Sequence, residues 1–317
     1  MAGTLIVSLD FELFWGMLDC STLDAYGANV LGGRKAIPRL LELFQKYGIH
    51  ATWAAVGFLF ARDYEELQKY FPEAVPAYQD PALNPYPLFE TIGKNEEEAP
   101  CFYGASLLDL VAKTPGQEIG SHTFCHYYCR EKGQTPEQFA LDMAAAKQIA
   151  QDHGYSVTSV ILPRNQCEPE YNAVLRKLGF TAYRDEENDW IHEKISIRPL
   201  KRLLRLMDVY FPLTGLGGYE PKNEDGIWNL VGSRMYKPIL KPLRFMERVK
   251  IMRIKAQMHH AAKRGLTFHL WWHPHNIGVM TDAHLCQLGE IFSYYVELKE
   301  KYGMQSLNMR EVVDRNA

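Results

Sequence analysis

One local unit recurs along this chain: a helical segment closing on a basic or polar pair, a glycine, then a short β-rich run. It reads K-Y-G-I-H-A-T-W at 46–53, D-H-G-Y-S-V-T-S-V-I-L at 152–162 and K-L-G-F-T-A-Y at 177–183. It returns as K-R-G-L-T-F-H-L-W-W at 263–272 and K-Y-G-M-Q-S-L at 301–307. A glycine just past a helix end supplies the left-handed cap, and basic residues in the last turn suit the helix dipole. Thr135-Pro136-Glu137 adds a helix start of the expected kind, with an N-cap, a first-turn proline and an acid. With L-I-V-S-L at 5–9 and E-I-G-S at 118–121, about seven strands alternate with helices. Such alternation demands a parallel sheet, open or closed into a barrel.

Two stretches break the rhythm. Residues 60–115 are rich in proline, aromatics and acids, and residues 199–264 carry a strongly basic end. Neither is bounded by a flexible linker, so both are expected to fold against one domain spanning 1–317. Composition removes several function classes. A net charge of −3 gives no general affinity for nucleic acid. No run of 18 apolar residues exists to cross a membrane. The N-terminus lacks the basic region and small-residue cleavage site of a secretory signal, and six cysteines are too few for a disulfide framework. The expected location is the cytoplasm.

Unusual polar residues collect where the expected strands end. The first strand runs into Asp10-Phe11-Glu12 and the third into His122. The fourth leads to Pro163-Arg164-Asn165-Gln166, the fifth to Arg184-Asp185 and the sixth to His273-Pro274-His275. The C-terminal ends of parallel strands form the ligand-binding face in such folds. Asp10 and Glu12, two apart, can point the same way. Glu12, His122 and His126 make a two-histidine, one-carboxylate metal set with room for water. Such a metal polarises a carbonyl and acidifies water. Asp10 can then take the water's proton, Arg164 can hold the carboxylate ionised, and a sixth-strand histidine can protonate the leaving group. Together they suggest an amide or ester hydrolase. A closed zinc site of Cys125, Cys129, His122 and His126 is the rival local reading, but it leaves Asp10 and Glu12 without a purpose.

S-L-D-F-E, G-S-H-T-F-C-H, L-P-R-N-Q and W-W-H-P-H-N resemble the ordered motifs of the polysaccharide deacetylases, the group built on the NodB homology domain. The resemblance spans about residues 5–310. It implies a distorted (β/α) barrel, often of seven strands, and metal-dependent removal of acetyl groups from carbohydrates. It further implies Asp10 as the base, Glu12, His122 and His126 as metal ligands, Arg164 as the base's partner and His273 as the acid. His269, His273 and His275 share one strand face by alternation, so the choice of acid stays open among them. E-E-N-D-W at 186–190 loosely resembles the fourth motif, in which an acid tunes the catalytic histidine and a Trp lines the acetyl pocket. Trp190, Asn165 and His275 are the expected substrate contacts. The first motif departs from the family's adjacent aspartates, and Pro163-Arg164 departs from its Arg-x-Pro.

The expected cofactor is a divalent metal, zinc first, with cobalt, manganese and nickel fitting the same donors. The expected substrate is an N-acetylated sugar or saccharide precursor, with nucleotide-linked and lipid-linked forms both open. A hydrolase of non-sugar C–N bonds and a catalytically silent binder are the rival functions. The basic run from Arg234 to Arg264, interleaved with apolar residues, suggests an anionic substrate handle or peripheral contact with an acidic membrane.

Overall fold

The computed structural model describes residues 2–186 and 189–316. Ten strands lie among them: β1 (Thr4–Phe11), β2 (Ala51–Ala55), β3 (Gln117–Ser121), β4 (Ser159–Ile161), β5 (Ala182–Arg184), β6 (Lys222–Glu224), β7 (Ile227–Asn229), β8 (Arg234–Met235), β9 (Thr267–Trp272) and β10 (Gln305–Ser306). The sheet runs β6-β7-β5-β4-β3-β2-β1-β9-β8, with β10 against the start of β1. Every pairing is parallel except β6 with β7. The helices are α1 (Leu23–Tyr47), α2 (Tyr64–Gln68), α3 (Ala105–Lys113), α4 (Pro136–Asp152), α5 (Pro169–Lys177), α6 (Trp190–Lys194), α7 (Arg198–Tyr210), α8 (Glu247–Arg264), α9 (Thr281–Tyr302) and α10 (Met309–Asn316).

The result is an α/β fold, a distorted barrel whose hydrogen-bonded ladder does not close. The edges are β6, outside β7, and β8, beside β9, and residues 230–233 carry the chain across from β7 to β8. Gly48, Gly265 and Gly303 take positive φ at the ends of α1, α8 and α9, as the repeated unit requires. Thr135 caps α4 in a reciprocal box with Gln138.

The strand count distributes differently from the sequence expectation. The seventh strand, expected at 301–307, is only the two-residue β10. The strand beyond β5 is instead β7, which lies inside the 199–264 insertion and follows a hairpin turn, not a helix. That turn is Asp225-Gly226, both at positive φ, the conformation a two-residue hairpin needs.

Alternation along β1 builds the site. Leu5, Val7, Leu9 and Phe11 pack into the main core, while Ile6 joins a second cluster with Met309, Val312 and Val313 of α10. Thus α10 plugs one end of the barrel, its first N–H groups bonded to Thr52 and Glu118. Above Ile6 on the same face come Ser8, Asp10 and Glu12, so the interior turns from apolar to polar toward the strand ends. Part of the basic run 234–264 is spent on internal ion pairs. Arg234 and Arg253 both turn inward to Asp208, and Lys250 to Glu247.

Candidate active site

Asp10 is buried and held by a forked pair. Arg184 Nη1 and Nη2 donate to its two carboxylate oxygens at 2.7 and 2.8 Å. The same guanidinium donates to Ser8 Oγ and Asn165 Oδ1 and lies over the Trp271 ring. Burial pushes the Asp10 pKa up, but Arg184, followed by His273, outweighs it and holds the carboxyl below its ordinary range. Asp10 is thereby kept ionised although buried.

Glu12 lies where β1 gives way to a tight turn. Its Oε2 is 3.2 Å from His122 Nε2 and 3.0 Å from His126 Nε2. A Cβ on Gly16 would sit about 2.1 Å from the Glu12 carboxylate, so only glycine leaves it room. His122 ends β3. His126 follows on a loop with Thr123 and His126 itself at positive φ. That loop is tied from two sides. Gly57 and Phe58 donate to the carbonyls of Thr123 and Phe124, and the buried Asp142 of α4 accepts from the N–H groups of Phe124 and Cys125. Burial raises the Asp142 pKa to about 6.

The cysteines point elsewhere. Burial, then Asp142, drives the Cys125 thiol well above its ordinary pKa, and burial does the same for Cys129. Among the described residues the only cluster able to grip an ion is Glu12, His122 and His126, with ligand atoms within 4.8 Å of one another.

The three histidines of the sixth expected strand separate by surroundings. His269 is fully buried, with Nδ1 donating to Leu230 O and Nε2 accepting from Ser8, and burial lowers its pKa to about 3. His275 is buried beneath the His273 ring, donates to Leu13 O, and is lowered by burial to about 4. His273 is one-fifth exposed, with Nε2 3.6 Å from Asp10 Oδ2 and 3.7 Å from Glu12 Oε1. Its Nδ1 faces Asn276 Oδ1 at 3.2 Å.

Several expected contacts move. Arg164 does not reach Asp10. It takes a left-handed backbone conformation, stacks on Tyr128 and pairs with Asp19 and Glu131 at a half-open rim. The arginine on Asp10 is Arg184, from the end of β5. Asn165 spends its carboxamide oxygen on Arg184, and His275 is enclosed. The Trp190 indole donates to Leu213 O, tying α6 to the chain beyond α7. Of the 186–190 stretch, Glu187 and Asn188 lie outside the described residues. Sequence reasoning placed Arg184 on the correct face and passed over it because the family motif pointed to Arg164. Strand alternation offered the missing signal, since Ala182 and Arg184 flank an outward Tyr183.

The family model described as polysaccharide deacetylase matches residues 22–183 of the 317. The chain belongs to the polysaccharide deacetylase family. No curated protein matches it. Among solved structures, one assigned as a polysaccharide deacetylase from Mycobacterium smegmatis aligns with TM-score 0.62 and 13% identity, over 99% of this chain and 91% of that one. Another with the same assignment, from Pseudomonas aeruginosa PAO1, gives 0.55 and 14% over 98% and 89%. Puue allantoinase gives 0.51 and 14% over 98% and 88%. At such identities these likenesses speak for the fold. As a family member the deacetylase is a hydrolase of carbon–nitrogen bonds other than peptide bonds.

The family is metal-dependent, and the donor set here fits a cation. His122 Nδ1 donates to Ile161 O at 2.7 Å, so in the neutral ring Nε2 carries a lone pair. That lone pair faces a carboxylate oxygen, itself only an acceptor. Two acceptors turned on each other in a buried site need a positive charge between them.

Proposed function

We propose that this deacetylase removes the N-acetyl group from a sugar or saccharide precursor, using a divalent metal held by Glu12, His122 and His126. Zinc suits the two imidazoles and carboxylate best, and cobalt, manganese or nickel fit the same donors. The observation that carries the reading is the convergence of the Asp10–Arg184 pair, the Glu12–His122–His126 cluster and His273 at one mouth of the barrel.

When bound, the metal supplies Lewis acidity, polarising the acetamide carbonyl and acidifying water. Asp10 takes the proton of the attacking water at Oδ2, the oxygen turned toward His273. Arg184 keeps that carboxylate ionised between turnovers and fixes its plane through the fork. His273 gives a proton from Nε2 to the departing nitrogen as the C–N bond breaks, leaving acetate and an amino sugar. Asn276 orients the ring through Nδ1. The setting that suits this chemistry is cytoplasmic work on precursors of surface polysaccharide.

The test is acetate release by metal-loaded protein from N-acetylglucosamine oligomers, a nucleotide-linked N-acetyl sugar and, for contrast, allantoin. Acetate from a saccharide supports the reading. Turnover of allantoin alone would replace it. Asp10→Asn should keep its metal and lose turnover, whereas undiminished function in that variant would favour a silent binder.

A further inference from the structure

The outer part of the 199–264 insertion leaves an unusual surface. In α7 only Asp208 and Tyr210 are buried. Leu200, Leu203 and Met207, spaced three and four apart, form one exposed stripe, and Leu203 is 53% exposed. Lys201, Arg202 and Arg205 occupy the opposite side of the helix and turn to a cavity of about 590 Å³. Leu240, Pro238 and Lys237 form the far wall. Among the described residues, none lining this cavity is acidic. Arg205 also reaches Asp189 at 3.6 Å outside it. Asn276, the partner of His273 Nδ1, is part of the same wall, so the cavity runs up to the acid end of the active site.

The same cleft has an apolar wall of Leu206, Val209 and Leu240, and cations set against such a wall match an amphiphile whose anionic group adjoins hydrocarbon. A water-soluble glycan uses neither feature, and a nucleotide leaves the stripe exposed. We propose that the substrate is an acetylated sugar joined through phosphate to a membrane lipid. In this arrangement α7 lies on an anionic bilayer, its apolar stripe in the acyl boundary. The phosphate sits between Lys201, Arg202 and Lys237, which places the sugar toward His273. This rests on the deacetylase reading above and names the class of its substrate.

The probes are vesicles of phosphatidylcholine, alone or with about a third phosphatidylglycerol, and polyprenyl-phosphate-linked N-acetylglucosamine embedded in them. The protein should sediment with the anionic vesicles only, and kcat/KM for the lipid-linked sugar should exceed that for free N-acetylglucosamine oligomers by about a hundredfold. The double variant Leu203→Glu, Met207→Glu, with unchanged melting temperature, should lose sedimentation and most of that preference. Equal kcat/KM for the two substrates, preference for a nucleotide-linked sugar, or a dimer that the double variant dissociates would each overturn the proposal. Acetate release from soluble oligomers without vesicle binding overturns it while leaving the deacetylase reading intact. Vesicle binding with no acetate from any substrate removes both.

Discussion

Replacing Arg184 with Met tests the core of the site. Its guanidinium carries both hydrogen bonds to Asp10, at 2.7 and 2.8 Å, and both groups are almost wholly buried. With charge centres about 4 Å apart and an effective dielectric near 20, the attraction is about 4 kcal/mol. Water entering the vacated space offsets part of that loss. In the wild type the Asp10 pKa is depressed from 3.8, so its ionised form adds stability above that pH, lost as pH falls through the folded value. Without Arg184, burial dominates and the folded pKa rises above the unfolded one. The variant then bears a penalty that grows as pH rises through that interval. Urea melts should show a deficit of about 3–5 kcal/mol at pH 7, and a smaller one near pH 4. The acid limb of kcat/KM should move to higher pH. Arg164→Met should cost at most about 1 kcal/mol, since its pairs are partly exposed, and leave the acid limb in place. An unmoved limb in Arg184→Met, or a moved one in Arg164→Met, would refute the assignment of the arginines.

Gly16→Ala should weaken metal binding about 10-fold or more without altering a ligand, because its new methyl displaces the Glu12 carboxylate; metal titration by calorimetry reads this directly. Asp142→Asn puts an amide N–H against one of the two backbone N–H groups it now accepts, so the His126 loop should loosen. The expected loss is about 1–3 kcal/mol in urea melts, with weaker metal retention on dialysis. His273→Gln should lower kcat by about 10²–10⁴ with metal content unchanged, by single-turnover acetate release and metal analysis. Dipicolinate should abolish turnover and lower the melting temperature, and zinc or cobalt should restore both.

What could be read from the chain follows from how local each cause is. Helix caps at Gly48, Gly265 and Gly303, and the inward stripe of Asp10 and Glu12, are fixed by neighbours in sequence, so periodicity and cap chemistry reach them. The cluster of Glu12 with His122 and His126 was legible because parallel strands deliver their ends to one face, whatever the exact register. β7 was missed because its signal, a short apolar run behind Asp225-Gly226, is that of a hairpin inside a segment that otherwise reads as an insertion. The arginine assignment failed for a different reason. Arg164 and Arg184 both end strands, and no spacing rule says which enters the barrel. That depends on the left-handed turn at Arg164, which throws its side chain to the rim, and on β5 continuing extended through Arg184 so that alternation turns it inward. A buried, ionised Asp10 needs a cation that is itself buried, because an exposed one is screened and cannot offset the burial of a carboxylate. Arg184, closed off on Ser8, Asn165 and Trp271, meets that requirement, and Arg164, open to solvent, does not.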